Sequence, residues 1–127
     1  MMNGKPEIPK TGRPELKNRT REFALRIVRL YSSLPKTTEA QVLGKQVLRS
    51  GTSVGANYRE ARRARSDAEF ISKIEGALQE LEETTYWMEL LVDAKIVKRA
   101  RLESLLHEAE ELTAIFVSSA KTVKNRK

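Results

Sequence analysis

Between residues 66 and 93, buriable side chains recur at alternating steps of three and four without a break: Ile71, Ile74, Leu78, Leu81, Thr85, Met88 and Val92. That spacing keeps one face of an α-helix continuous and cannot serve a strand, whose faces alternate every second residue. Ser66-Asp67-Ala68-Glu69 opens the segment as a capping box, in which the Ser oxygen and the Glu side chain satisfy amides that the first turn leaves unpaired. A second stripe runs beside the first: Phe70, Ala77, Thr84, Trp87 and Leu91. Two adjacent stripes on one helix point to burial on more than one side. The second therefore suggests a subunit interface, with Trp87 within it, since aromatic residues are enriched in interface cores.

Three further segments carry the same period. Phe23, Ile27, Leu30 and Leu34, widened by Ala24, Val28 and Tyr31, predict a helix over 16–34 that ends at Pro35. Leu43, Val47, Ser50, Val54 and Ala61 predict one over 38–64, capped by Thr37 or Thr38. Leu102, Leu105, Ala109, Leu112, Phe116 and Ala120, flanked by Leu106, Thr113 and Val117, predict one over 98–122. Four amphipathic helices with short connections imply an all-α fold, an antiparallel up-down-up-down four-helix bundle. The expected organisation is a flexible arm over 1–15, where Pro6, Pro9, Pro14, Gly4 and Gly12 cluster, the bundle over 16–123, and a basic tail over 124–127.

The middle of the second helix is almost all small residues, Ser50-Gly51-Thr52-Ser53-Val54-Gly55-Ala56. A phosphate-binding loop would need Gly-Lys-Ser/Thr at its end and a preceding strand, and neither is present. Gly51 and Gly55 lie one turn apart and share a face, so they are expected to let another backbone approach closely. Each costs about 1 kcal/mol of helix propensity relative to alanine, and close packing is the return.

Catalysis finds few materials. The chain has no cysteine and one histidine, which excludes disulfides, thiolate centres and multi-histidine metal sites. A di-iron bundle needs two Glu-x-x-His pairs, and Glu103-Ser-Leu-Leu-His107 has the wrong spacing. Glu80, Glu83 and Glu89 read as helical surface carboxylates rather than an acid/base pair, and Ser50, Thr52 and Ser53 have no base beside them. The expectation is a protein that is not an enzyme and carries no cofactor or metal. No apolar run is long enough to span a membrane and the N-terminus has no signal-peptide apolar region, so the chain reads as cytoplasmic.

The formal net charge is +7, with 24 Lys and Arg against 17 Asp and Glu, and it is unevenly distributed. Basic groups concentrate in the first helix (Arg19, Arg21, Arg26, Arg29), at the end of the second (Arg59, Arg62, Arg63, Arg65) and at the third connection (Lys98, Arg99, Arg101). The third helix is acidic, with Lys73 its one cation. Basic patches on a folded frame attract phosphate backbones, because each neutralised phosphate releases counterions. RNA or DNA is therefore the expected partner. The alternative is a protein-interaction scaffold, in which Arg59 and Glu60 pair with Glu80 or Glu83 inside or between bundles.

The run Arg49-Ser-Gly-Thr-Ser-Val-Gly-Ala-Asn-Tyr-Arg-Glu-Ala61 resembles the signature of the four-helix-bundle proteins encoded by intervening sequences of 23S ribosomal RNA genes. Ser66, Phe70, Ile71, Lys73, Glu80, Glu83, Thr84, Tyr86 and Trp87 follow the same family's pattern, and Phe23 to Pro35 is similar to its opening helix. The resemblance implies a homo-oligomer, a pentamer, and kinship with the basic accessory variability protein of diversity-generating retroelements, which partners a reverse transcriptase and binds nucleic acid. Two departures stand out: the Pro-rich basic arm, and a third connection without the glycine often found there. Independently of the resemblance, Gly51, Gly55, Tyr58, Arg59, Glu60, Lys73, Glu80, Glu83 and Trp87 are expected to act structurally or at interfaces, the polar ones because polar residues beside apolar stripes fix register and helix pairing.

Overall fold

A computed structural model describes residues 13–126, with side chains from Leu16 onward. The chain forms four helices: α1 (Arg13–Ser32), α2 (Thr38–Arg62), α3 (Asp67–Asp93) and α4 (Arg99–Lys124). Helix α1 packs on α2, α2 on α3 and α3 on α4, and α4 comes back to α1. The described residues thus form an all-helical bundle, and none of its helices is long and apolar enough to cross a membrane. Contacts run in opposite order along each pair. Gly44, Gly51 and Gly55 of α2 face Leu34, Ile27 and Thr20 of α1. Between α2 and α3, Ser50 meets Thr84 while Glu60 meets Lys73. The expected arm over 1–15 lies mostly outside the described residues; its last three residues, 13–15, begin α1.

The helix ends follow from local chemistry. Thr37 caps α2 by accepting from the Ala40 amide, and Ser66 caps α3 by accepting from the Glu69 amide. The Glu69 carboxylate reaches back to the Arg65 amide at 3.1 Å, one residue before the cap. Helix α1 ends at Ser32, short of the expected Leu34, but Leu34 still folds into the core. Helix α4 runs to Lys124, and within the expected tail Lys124 pairs with Glu75 and Arg126 with Asp67, while Lys127 lies outside the described residues.

The missing glycine has a structural counterpart. Lys95 adopts φ 62°, the left-handed conformation. Its amide donates to Val92 O at 2.9 Å and the Ile96 amide donates to Leu91 O at 2.9 Å, the bond pattern of a Schellman cap. A side chain in this region costs about 1 kcal/mol that glycine avoids. Lys95→Gly is therefore expected to stabilise the fold by about 1 kcal/mol, a rise in melting temperature of about 3–4 °C. A lower melting temperature would mean that Lys95 makes contacts outweighing its backbone conformation.

The core runs the length of the bundle, from Leu16 and Phe23 in α1 through Val54 and Tyr58 in α2, Ile74 and Leu81 in α3, to Leu112 and Phe116 in α4. Each fully buried large side chain contributes about 1.5–3 kcal/mol by leaving water. On α3 the buried row is Phe70, Ile74, Ala77, Leu81, Thr84, Met88 and Leu91. This row takes alternate members from both expected stripes, and Ile71, Leu78, Trp87 and Val92 sit half-buried at its edges. The reason is position: α2 and α4 both pack on α3, so α3 needs one wide apolar face. Phe70, Ala77, Thr84 and Leu91 find their burial inside the chain, which removes the argument from the second stripe to a second subunit. Val28, expected to widen the face of α1, is instead 41% exposed.

Candidate nucleic-acid interface

The signature run from Arg49 to Ala61 lies entirely on α2. Its residues divide among three neighbours. A Cβ at Gly51 would come within 2.8 Å of Ile27 Cγ1, and one at Gly55 within 3.3 Å of Thr20 Oγ1, so the small face receives α1. Ser50 and Thr84 are fully buried, and their hydroxyls lie 2.8 Å apart across α2 and α3, each also within reach of the carbonyl four residues back. Thr52 and Ser53 donate to Leu48 O and Arg49 O, and the Asn57 amide donates to Ser53 O. Tyr58 is buried with its ring 5.8 Å from that of Phe116. Arg49 and Glu60 reach α3. Among the described residues, Arg59 is the one polar side chain of the run with no partner.

The expected pairing of Arg59 with Glu80 or Glu83 is corrected within the chain. Arg49 holds both carboxylates, Glu80 at 3.3 Å and Glu83 at 2.6 Å. The register of α2 on α3 explains this, because Ser50 is level with Thr84, and Arg59 lies nine residues, about 13.5 Å, further along α2. Glu60 is held by Lys73 at 2.8 Å. The hydrogen bond that Arg49 donates to Glu83 raises the Arg49 pKa, and the one that Lys73 donates to Glu60 raises the Lys73 pKa. Trp87 rests on its own chain's core, edge-on to Tyr86 at 5.0 Å, and its Nε1 has no acceptor.

Arg19, expected among the phosphate contacts, is committed elsewhere. Its guanidinium donates to both Glu108 oxygens at 2.9 and 2.7 Å and to Glu111 at 2.7 Å. These bonds tie α1 to α4 and raise the arginine pKa, the Glu108 hydrogen bond most of all. The hydrogen bond from Arg19 in turn lowers the Glu111 pKa, with help from His107 at 3.0 Å. A carboxylate whose folded pKa is depressed stabilises the fold above its unfolded pKa and loses that contribution as pH falls through the folded value. The stability difference between wild type and Arg19→Gln, from urea unfolding, should therefore be present at pH 6–7 and shrink below about pH 4. A difference that persists to pH 3 would place the effect in packing of the arginine stem instead.

The remaining cations gather in two places. Lys17, Arg59, Arg62 and Arg63 line a concavity of about 540 Å³ between the start of α1 and the end of α2. Among the described residues its one lining carboxylate, Glu60, is the partner of Lys73, so four positive charges stand uncompensated by described residues. Arg62 also sits in the last turn of α2, where the carbonyl end of the helix dipole favours it. The second concavity, about 220 Å³, is lined by Arg26, Arg29 and Arg101 over Leu30, Leu102 and Leu105, between α1 and α4. Arg26 donates to Ser104 at 2.9 Å and Arg101 donates to Ser33. Arg21, Arg65, Lys98 and Arg99 are exposed and line neither. Lys17 was not singled out from the sequence, because only the packing of Thr20 on Gly55 brings it level with Arg59. Arg49, Glu108 and Glu111 were passed over as well. The signal was present in the two Glu-x-x-Glu spacings, which place a pair of carboxylates on one helical face. Among the described residues no group of three His, Asp or Glu side chains could hold a metal ion.

A profile of the 23S rRNA-intervening sequence protein family matches residues 14–118. The chain is also similar to a crystal structure described as a protein with unknown function from the S23 ribosomal protein family of Bacteroides thetaiotaomicron. The two are 44% identical over 85% of this chain and 96% of that one, with a TM-score of 0.80. No functionally curated protein matches the chain.

Proposed function

We propose that this chain, which belongs to the 23S rRNA-intervening sequence protein family, is a non-enzymatic helical module that holds RNA or DNA by its phosphate backbone. The observation that carries this reading is the set Lys17, Arg59, Arg62 and Arg63 around one concavity, unpaired among the described residues, whose one described carboxylate is already held by Lys73. Cations without protein carboxylates are the ones available to displace counterions from phosphates. Among the described residues no aromatic side chain lines the concavity, which favours recognition of backbone and shape over stacked bases. Assembly into a homo-oligomer, pentameric as the resemblance implies, would repeat the patch and multiply a weak contact by avidity. The test is fluorescence anisotropy with a structured RNA and a matched DNA duplex, titrated with salt. Micromolar or tighter binding with a steep dependence on log salt supports the reading, and absence of binding at low salt overturns it. Tyr86, 53% exposed and edge-on to Trp87, favours a second reading: an accessory surface for a protein such as a reverse transcriptase.

A further inference from the structure

We infer that the bound phosphate backbone crosses α1 obliquely, from Lys17 on its α2 side to Arg29 on its α4 side, and leaves the α3 face clear; this rests on the function proposed above. The two basic concavities lie on opposite flanks of the same helix, one shared with α2 and the other with α4. At about 100° per residue, Lys17, Arg21 and Arg29 step in one direction around the outer surface of α1. All three are exposed. From Lys17 to Arg29 the rise is about 18 Å, the axial run of about five phosphates of one duplex strand. The surface between them is low: Leu25 and Val28 are exposed at 37% and 41%, and nothing acidic intervenes but Glu22, on the Arg26 side.

The opposite side of the molecule makes the direction one-sided. Glu82, Glu89 and Asp93 of α3 are exposed, with no cation paired to them among the described residues. Carboxylates there repel phosphate at the range of the Debye length, about 8–10 Å at physiological salt. Beside the basic side, Glu60 is neutralised by Lys73 and Glu108 by Arg19, which leaves Glu22 as the unpaired carboxylate on α1 among the described residues. The bundle is thus electrically two-faced, and the backbone has one favourable route over it.

The absence of cysteine makes the route directly testable, since one introduced thiol is unique. Full-length Leu25→Cys and Glu82→Cys, each carrying a photo-crosslinker, are irradiated with a labelled RNA hairpin, and melting temperatures confirm folding. The expected result is crosslinking from position 25 and at least about tenfold less from position 82. In parallel, Arg21→Ala and Arg29→Ala should each lower the salt slope by about 1. Equal crosslinking from both positions, or wild-type slopes in both arginine variants, overturns the route while the wild type still binds. If the wild type binds no RNA at all, the proposed function and the route fall together.

Discussion

Reversing Arg62, Arg63 and Arg65 to Glu is expected to leave the bundle folded and to weaken nucleic-acid binding about 100-fold or more near 0.1 M salt. All three side chains are exposed, and none has an ion-pair or hydrogen-bond partner among the described residues. Their backbone amides are engaged, that of Arg63 with Glu60 O and that of Arg65 with the Glu69 carboxylate, and the substitutions preserve both. Acidic groups at the end of α2 oppose the helix dipole, which costs about 0.3–1 kcal/mol each. The Gln versions of the same three positions separate that cost from the loss of charge. Each phosphate contact contributes about 0.9 to the slope of log affinity against log salt, so the reversed protein should show both weaker binding and a shallower slope. The check is anisotropy at several salt concentrations with circular dichroism melting alongside. Unchanged affinity with an unchanged slope in a folded variant would remove the end of α2 from the interface.

The close approach of α1 to α2 makes Gly51 sensitive to a single added methyl. An alanine there would place its Cβ 2.8 Å from Cγ1 and 3.0 Å from Cγ2 of Ile27. Both atoms hang on a β-branched carbon with few alternative rotamers, and Ile27 is fully buried. Overpacking of this kind costs about 1–3 kcal/mol, against about 1 kcal/mol gained in helix propensity. We expect Gly51→Ala to lose up to about 2 kcal/mol net. Gly55→Ala is the control. Its Cβ would meet Thr20 Oγ1 at 3.3 Å, an approach that asks Thr20 to give by only a few tenths of an ångström, so Gly55→Ala should lose less stability than Gly51→Ala. Ile27→Ala alone opens a cavity and costs about 2–5 kcal/mol. In the Gly51→Ala background it should cost less, because the new methyl occupies part of the space. Additive costs in urea unfolding would show that α1 and α2 do not meet there.

Much of the fold was legible before any coordinates. The buried positions of α4 and the stripe from Phe23 to Leu34 follow from a period of three and four, which is a property of a single helix and needs no neighbour. The caps at Thr37 and Ser66 are equally local. The close approach at Gly51 and Gly55 was legible as a small face, although not that α1 would fill it, nor that Gly44 would extend it toward Tyr31 and Leu34.

The candidate interface was less legible. Charge density along the chain picks out the clusters at 59–65 and 98–101, but not which cations are engaged. Arg19 and Arg59 look alike in sequence; one is bound to two carboxylates of α4 and the other has no partner among the described residues. A helix's own face is written in its residues, because the backbone period is local. Which charge meets which depends on how far one helix is slid along another. That register is decided by side chains meeting across the interface, Ile27 against Gly51 and Ser50 against Thr84, and so only the tertiary structure separates the cations that hold the bundle together from those left to face a partner.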